Sequence, residues 1–219
     1  MVRTLTAEEA QRFLAAAEGN ENHAPLALAL LTGMRRSEIA GLKWGRVDLL
    51  GATLRVVEGL HRLRGRGFVT EAPKSARGKR NIDLSPAAVI LLRGHKEQEA
   101  AKALLTGRSL ADDDYVFCRF DGSPIRPDRL STKFAVIARK AGLTGVSLHS
   151  LRHTDASLML AANIHPKVVS ERLGHSTIAL TLDTYSHVIP GLQAAAAKRL
   201  DDVLAGKVPT ETSDPIEAP

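Results

Sequence analysis

Eight aromatic side chains are all that this chain of 219 residues carries: five Phe, two Tyr and one Trp. A β-sandwich or barrel draws much of its core from such rings. A chain with only 4% of them is therefore directed toward helices. The remaining composition, 44% hydrophobic and 25% charged, is ordinary for a globular domain. It excludes a collagen, a coiled-coil array and a mostly disordered chain. The length suits one domain, with or without a small subdomain, and can bury a core without staples.

Local start and stop signals divide the chain. Thr6 followed by Glu9 is a capping box, and the helix it opens runs to residue 18, where Gly19-Asn20 stops it. Further helices are expected over 21–31, 35–41, 127–141, 148–163, 166–174, 177–188 and 190–204. A longer one runs over 86–106, opened by Ser85-Pro86. Alternating residues predict strands at 52–58, 68–71 and 80–84, joined by a basic, Gly-rich loop at 61–67 and a basic turn at 73–79. The expected fold class is mainly α with a small three-stranded antiparallel meander at one edge. Residues 206–219, rich in Pro, Thr, Ser and acids, read as a disordered tail.

Thirty Lys and Arg against 24 Asp and Glu give a net charge of +6. Residues 201–219 hold five acids and one lysine, which leaves +10 on residues 1–200. A basic body of this kind points to an anionic polymer, with nucleic acid the default. Cys118 is the single cysteine, so no internal disulfide forms and a reducing cytosol fits. Within the apolar run 115–118 it reads as a small buried hydrophobe rather than a nucleophile. No window approaches a membrane span, and the first ten residues lack a hydrophobic signal region. A cytoplasmic protein without a membrane partner is expected.

Four segments concentrate reactive side chains. Residues 32–42 (TGMRRSEIAGL) contain Arg35, Arg36 and Glu38. Lys74 lies in the basic turn, with Arg77 and Lys79 close by. Residues 148–154 (LHSLRHT) contain His149, Arg152 and His153. Residues 173–187 (LGHSTIALTLDTYSH) contain His175 and, ten residues on, Tyr185. His149 and His153 stand one helical turn apart, but no carboxylate or Cys at ligand spacing joins them. No metal and no cofactor are expected. The ordered series Arg, Lys, His-x-x-Arg, His, Tyr resembles the tyrosine recombinase family, the phage integrases, over residues 5–187. One departure is Asp155, which stands after LRHT where the family usually has an apolar or aromatic residue.

The resemblance implies a catalytic domain over residues 1–205, with the family's N-terminal core-binding domain absent. It implies double-stranded DNA as partner and a cutting reaction in which a tyrosine attacks a phosphodiester, forms a 3′-phosphotyrosyl link and releases a 5′-hydroxyl. Tyr185 takes the nucleophile's place. Arg35 and Arg152 take those of the two phosphate-binding arginines, where a planar, permanently charged fork is required. His149 can accept the tyrosine proton or bond a phosphate oxygen. His175 donates to a phosphate oxygen, Lys74 protonates the leaving oxygen (Arg77 and Lys79 being near alternatives), and Glu38 buttresses the arginines. The helix over 190–204, with Leu192, Ala196, Leu200 and Val203 on one side, docks on a neighbouring protomer of a tetramer on DNA or back on its own core. A monomer is expected away from DNA. A type IB topoisomerase and a non-catalytic DNA-binding module are the alternative functions.

Overall fold

The computed structural model describes residues 3–63, 65, 67–73, 75–185 and 192–206. Helix α1 (Ala7–Ala17) opens on the expected capping box: Thr6 Oγ1 accepts from the Glu9 amide, and the Glu9 carboxylate accepts from the Thr6 amide. Its buried face carries Ala10, Phe13 and Ala17, and the Phe13 ring meets Phe134 at 5.1 Å. Helix α2 (His23–Thr32) is buried on almost every side, which is why its sequence has no polar face. It ends at Gly33, whose left-handed φ of +62° turns the chain into α3 (Arg36–Gly41). The long α4 (Pro86–Leu105) is capped by Ser85 with Pro86 in its first turn, and α5 (Pro127–Lys140) follows it and carries Phe134. The second half adds α6 (Leu148–Ala161), α7 (Pro166–Leu173), α8 (Ile178–Tyr185) and α9 (Leu192–Leu204).

The sheet differs from the expected meander. Strands β1 (Val47–Asp48), β2 (Thr53–Val56) and β5 (Arg80–Asp83) form one antiparallel sheet in the order β1-β2-β5, with Leu54 opposite Ile82. Strands β3 (Gly59–Leu63) and β4 (Gly67–Glu71) form a separate hairpin, with Leu60 opposite Thr70. Alternation explains the choice. Leu54, Val56, Arg80 and Ile82 all face inward, so β2 and β5 share one buried face, whereas β4 is mostly exposed. The basic stretch expected as a loop is therefore partly strand: His61 to Leu63 pair with β4, and the turn lies at Gly65, whose φ is +79°. The hairpin lies on α3 closely enough that a Cβ on Gly41 would come within 2.9 Å of the Leu60 amide nitrogen.

Two apolar clusters result. The larger gathers Phe13, Leu26, Leu28, Ile39, Leu54, Ile82, Leu92, Phe117, Phe134 and Leu151. The smaller consists of Ala156, Leu160, Val169, Leu173 and Tyr185. Helix α6 supplies residues to both, Leu148 and Leu151 to the first and Ala156 and Leu160 to the second. Among the described residues no helix is long and apolar enough to cross a membrane. The expected start of the last helix at Pro190 and the tail from 207 lie outside the described residues.

Candidate active site

The site begins where α2 stops. Because Gly33 is left-handed, its carbonyl is free of the helix ladder, and Arg152 Nη1 donates to it at 2.6 Å. Arg152 Nη2 donates to the Leu173 carbonyl, also at 2.6 Å, at the end of α7. The residue is 3% exposed, and its guanidinium ties two helix ends together from α6. Burial, then the charge of Arg35, lowers its pKa to about 9.

Arg35 is the N-cap of α3 and keeps its side chain 40% exposed. Glu38 lies one turn on. Its carboxylate accepts from the Arg35 amide at 2.9 Å and from Arg35 Nη1 at 2.7 Å. From the sheet, Arg80 donates to the same carboxylate through Nη2 at 2.9 Å and Nη1 at 3.1 Å, while its Nε donates to the Arg172 carbonyl at 2.5 Å. Burial opposes the Glu38 charge, but the Arg80 hydrogen bonds and the charges of Arg80 and Arg35 hold its carboxyl below the usual range. Glu38 thus joins α3 to β5, and Arg80 joins both to α7.

His149 is exposed near the start of α6. Partial burial of its ring and then Arg152, Arg35 and Arg36 lower its pKa. His175 follows the left-handed Gly174 (φ +69°), and its Nδ1 meets Thr181 Oγ1 at 2.8 Å. Burial, then Arg152 and Arg35, brings it down to about 4. Both imidazoles therefore lie within electrostatic reach of both arginines. The Arg77 guanidinium donates to the Ser176 carbonyl, so the turn before β5 lies against the segment that bears His175. Arg77, Lys79, Arg80, Lys167 and His175 line a cleft of about 280 Å³ there. A second groove, of about 790 Å³, lies between the hairpin and Arg35, Arg36 and Pro127. Lys74 lies outside the described residues.

Tyr185 ends α8 and is 2% exposed within the smaller apolar cluster. Its hydroxyl lies 2.6 Å from His153 Nδ1. The His153 ring meets His149 edge-on at 4.7 Å. Burial pushes the phenol up to about 12. Burial, then His149 and Arg152, pushes His153 down to about 4. The other tyrosine, Tyr115, lies in a bridge to Lys43, away from these groups. Cys118 is half-buried and its thiol donates to the Glu99 carboxylate at 3.2 Å; burial and that carboxylate raise the thiol to about 12, which leaves it unreactive.

Two participants escape the sequence reading, and a third stands in it only as a departure. His153 stands out there only as half of a metal pair, although its place beside Arg152 and one turn from His149 already puts it on the site. Arg80 reads as strand alone; the signal is an arginine sharing the inward face of Ile82. Asp155 departs from the family pattern, and the structure shows what it touches. Its carboxylate is buried under Gly33 and lies 3.8 Å from Arg172 Nε. Arg172 in turn donates to the carbonyls of Asp83 at 2.9 Å and Leu31 at 2.6 Å. Among the described residues no group of three or more His, Cys, Asp or Glu could hold a metal ion.

Known proteins resemble the chain in sequence and in fold. The family model described as "Phage integrase family" matches residues 3–190. A protein named tyrosine recombinase XerC-like, from Caldanaerobacter subterraneus subsp. tengcongensis, is 29% identical over 92% of this chain and 54% of its own length. The ICEBs1 integrase of Bacillus subtilis is 30% identical over 81% of this chain and 48% of its own. The chain thus spans about half the length of these curated relatives. Among solved structures, the Tn1549 transposon integrase in complex with transposon right end DNA superposes with a TM-score of 0.78 at 23% identity, over 92% of this chain and 66% of that one. It shares the fold.

Proposed function

The chain belongs to the phage integrase family, and from that premise we propose that it is the cutting and rejoining part of a site-specific DNA recombinase. Tyr185 attacks a backbone phosphorus, the bond to the 5′-oxygen breaks, and the 3′-phosphate stays on the tyrosine. A 5′-hydroxyl from another strand reverses the step. The transition state gathers negative charge on the non-bridging oxygens, which needs donors fixed in advance. Arg35, half-exposed and braced by Glu38, is placed to meet that charge. Arg152 keeps the two helix ends in register and adds its own charge from below. His149 and His175 supply hydrogen bonds to the phosphate. Lys74, with Arg77 and Lys79 as alternatives, protonates the leaving oxygen. Double-stranded DNA is the partner, and a tetramer on DNA is the working assembly.

One observation carries the reading: the buried hydroxyl of Tyr185 sits against α6 at His153, one residue from Arg152, and the His153 ring in turn meets His149 edge-on. A non-catalytic DNA-binding module gives no reason to hold a phenol there. The test uses a pool of duplexes of randomised sequence, each with one 5′-bridging phosphorothiolate. The thiolate leaves without needing an acid and religates poorly, so any cutting is trapped as a protein–DNA adduct. The full chain forms the adduct on Tyr185, and Tyr185→Phe binds the same duplexes without forming it. An adduct of undiminished yield on the Phe variant refutes the assignment.

A further inference from the structure

The proton on Tyr185 has to leave for the phenolate to form, and its destination decides how the enzyme is switched on. Only one basic atom among the described residues lies within hydrogen-bond distance of that hydroxyl: His153 Nδ1, at 2.6 Å. His149, the base that the sequence favours, touches the His153 ring edge-on instead and is exposed toward Arg35 and Arg36. We infer that His153, rather than His149, takes the proton of the nucleophile and returns it on religation, leaving His149 free to bond the phosphate. The inference rests on the reading of Tyr185 as the nucleophile.

The step balances simply. The O–H bond of Tyr185 breaks, its proton goes to the Nδ1 lone pair of His153, and the ring becomes imidazolium. The oxygen lone pair forms the bond to phosphorus as the bond to the 5′-oxygen breaks. On religation the phosphotyrosyl bond breaks, and the imidazolium returns its proton to the phenolic oxygen.

Without DNA this transfer is strongly uphill. The phenol sits up at about 12 and the imidazole down at about 4, so the proton stays on oxygen. The groups facing His153 are His149 and Arg152 on its own helix, Tyr185 on α8 and His175 at the end of α7. Arg152 is a permanent cation, and imidazolium beside it is disfavoured. A phosphodiester seated against Arg35, Arg152 and His149 brings the missing negative charge. It stabilises imidazolium at His153, so the proton transfer accompanies attack on the phosphorus only when a target phosphate is present. A free tyrosine is thereby kept from wasteful reaction until that charge arrives.

The same phosphorothiolate pool separates the possibilities, because loss of the leaving-group acid is bypassed in it. Adduct formation by the full chain is followed in single turnover from about pH 6 to pH 9, with Tyr185→Phe as blank. His153→Ala and His153→Gln both lower the rate on the order of 100-fold at neutral pH. In both, the rate then climbs tenfold per pH unit, as solvent hydroxide takes over. His149→Gln lowers the rate but keeps the wild-type pH profile. The Gln variant preserves side-chain volume, so it carries the test if the Ala variant melts early. Wild-type rates and profile in both His153 variants overturn the inference while leaving Tyr185 as nucleophile. A faster rate also overturns it, since His153 is then a restraint rather than a base. Adduct in the Tyr185→Phe blank instead refutes the underlying assignment.

Discussion

At the scale of single residues, Asp155 is the side chain whose behaviour is most at odds with its surroundings. It is buried, its Oδ2 has no hydrogen-bond partner among the described residues, and Arg172 Nε is 3.8 Å away. Burial, only partly offset by Arg172 and Arg152, pushes the carboxyl up to about 6. In the unfolded chain it titrates near its ordinary value of about 3.9. The native state therefore keeps a proton that the unfolded chain has already lost. Stability falls as pH rises between those two values, and the penalty is complete above the upper one. Asp155→Asn, nearly isosteric and never charged, should raise stability at about pH 8 by on the order of 1–3 kcal/mol and give no such gain near pH 4. Thermal melting of the two proteins across that range checks it, and parallel curves contradict the assignment. The same residue shows where reading the sequence stops. Arg35, His149, Arg152, His175 and Tyr185 can be picked out because each sits in a short recognisable segment, and the structure does gather them. The partnerships of Arg80 with Glu38, of His153 with Tyr185 and of Arg172 with the Leu31 carbonyl span 42, 32 and 141 residues. Nothing local announces a contact of that kind.

At the scale of elements, the helices are legible in the sequence and the strand pairing is not, for a physical reason. Caps act within four residues: Thr6 with Glu9, Ser85 with Pro86, and Gly33 and Gly174 as left-handed stops all show in the local sequence. Pairing depends on which buried faces match across a turn. The segment at 67–71 finds its partner in the basic stretch before it rather than in β5. One stop is also a spacer. A Cβ on Gly174 would come within 2.9 Å of the Arg77 carbonyl and 3.0 Å of Arg80 Cδ, besides straining a φ of +69°. Gly19 has a similar φ of +72° and nothing within 4 Å of its missing Cβ. Gly19→Ala and Gly174→Ala thus share the backbone strain, on the order of 1 kcal/mol. Only the second displaces the Arg77 turn and the Arg80–Glu38 pair. Gly174→Ala should lose adduct formation at least about tenfold at a temperature where it is still folded, while Gly19→Ala keeps wild-type cutting. Equal activity in the two variants, measured beside their melting curves, shows that the spacing at Gly174 is unimportant.

At the scale of the whole molecule, the charge asymmetry and the last helix act together. Under the proposed function, a body carrying +10 over residues 1–200 would meet a phosphate backbone by releasing counterions, so binding of DNA should weaken steeply with salt. Charge alone gives attraction but neither register nor control of cutting. Helix α9 is the element suited to supply both. Its described apolar side chains Leu200, Val203 and Leu204 are 58%, 53% and 76% exposed. A helix of 13 residues is marginal in water by itself, so such a face gains stability by being covered. In the proposed tetramer a neighbouring protomer covers it, head to tail, and the donation repeats around a closed ring. The triple change of Leu200, Val203 and Leu204 to Ser separates docking in trans from docking in cis. Residues already exposed in the lone chain contribute little to its fold, so its melting temperature should stay within about 2 °C of wild type. Binding to one DNA site should also be unchanged. Assembly of several protomers on one duplex, read by analytical ultracentrifugation, should be lost, and adduct formation should fall with it because Tyr185 lies directly upstream of this segment. A large drop in melting temperature instead means that the helix covers its own core, and that cutting by a lone protomer needs no neighbour.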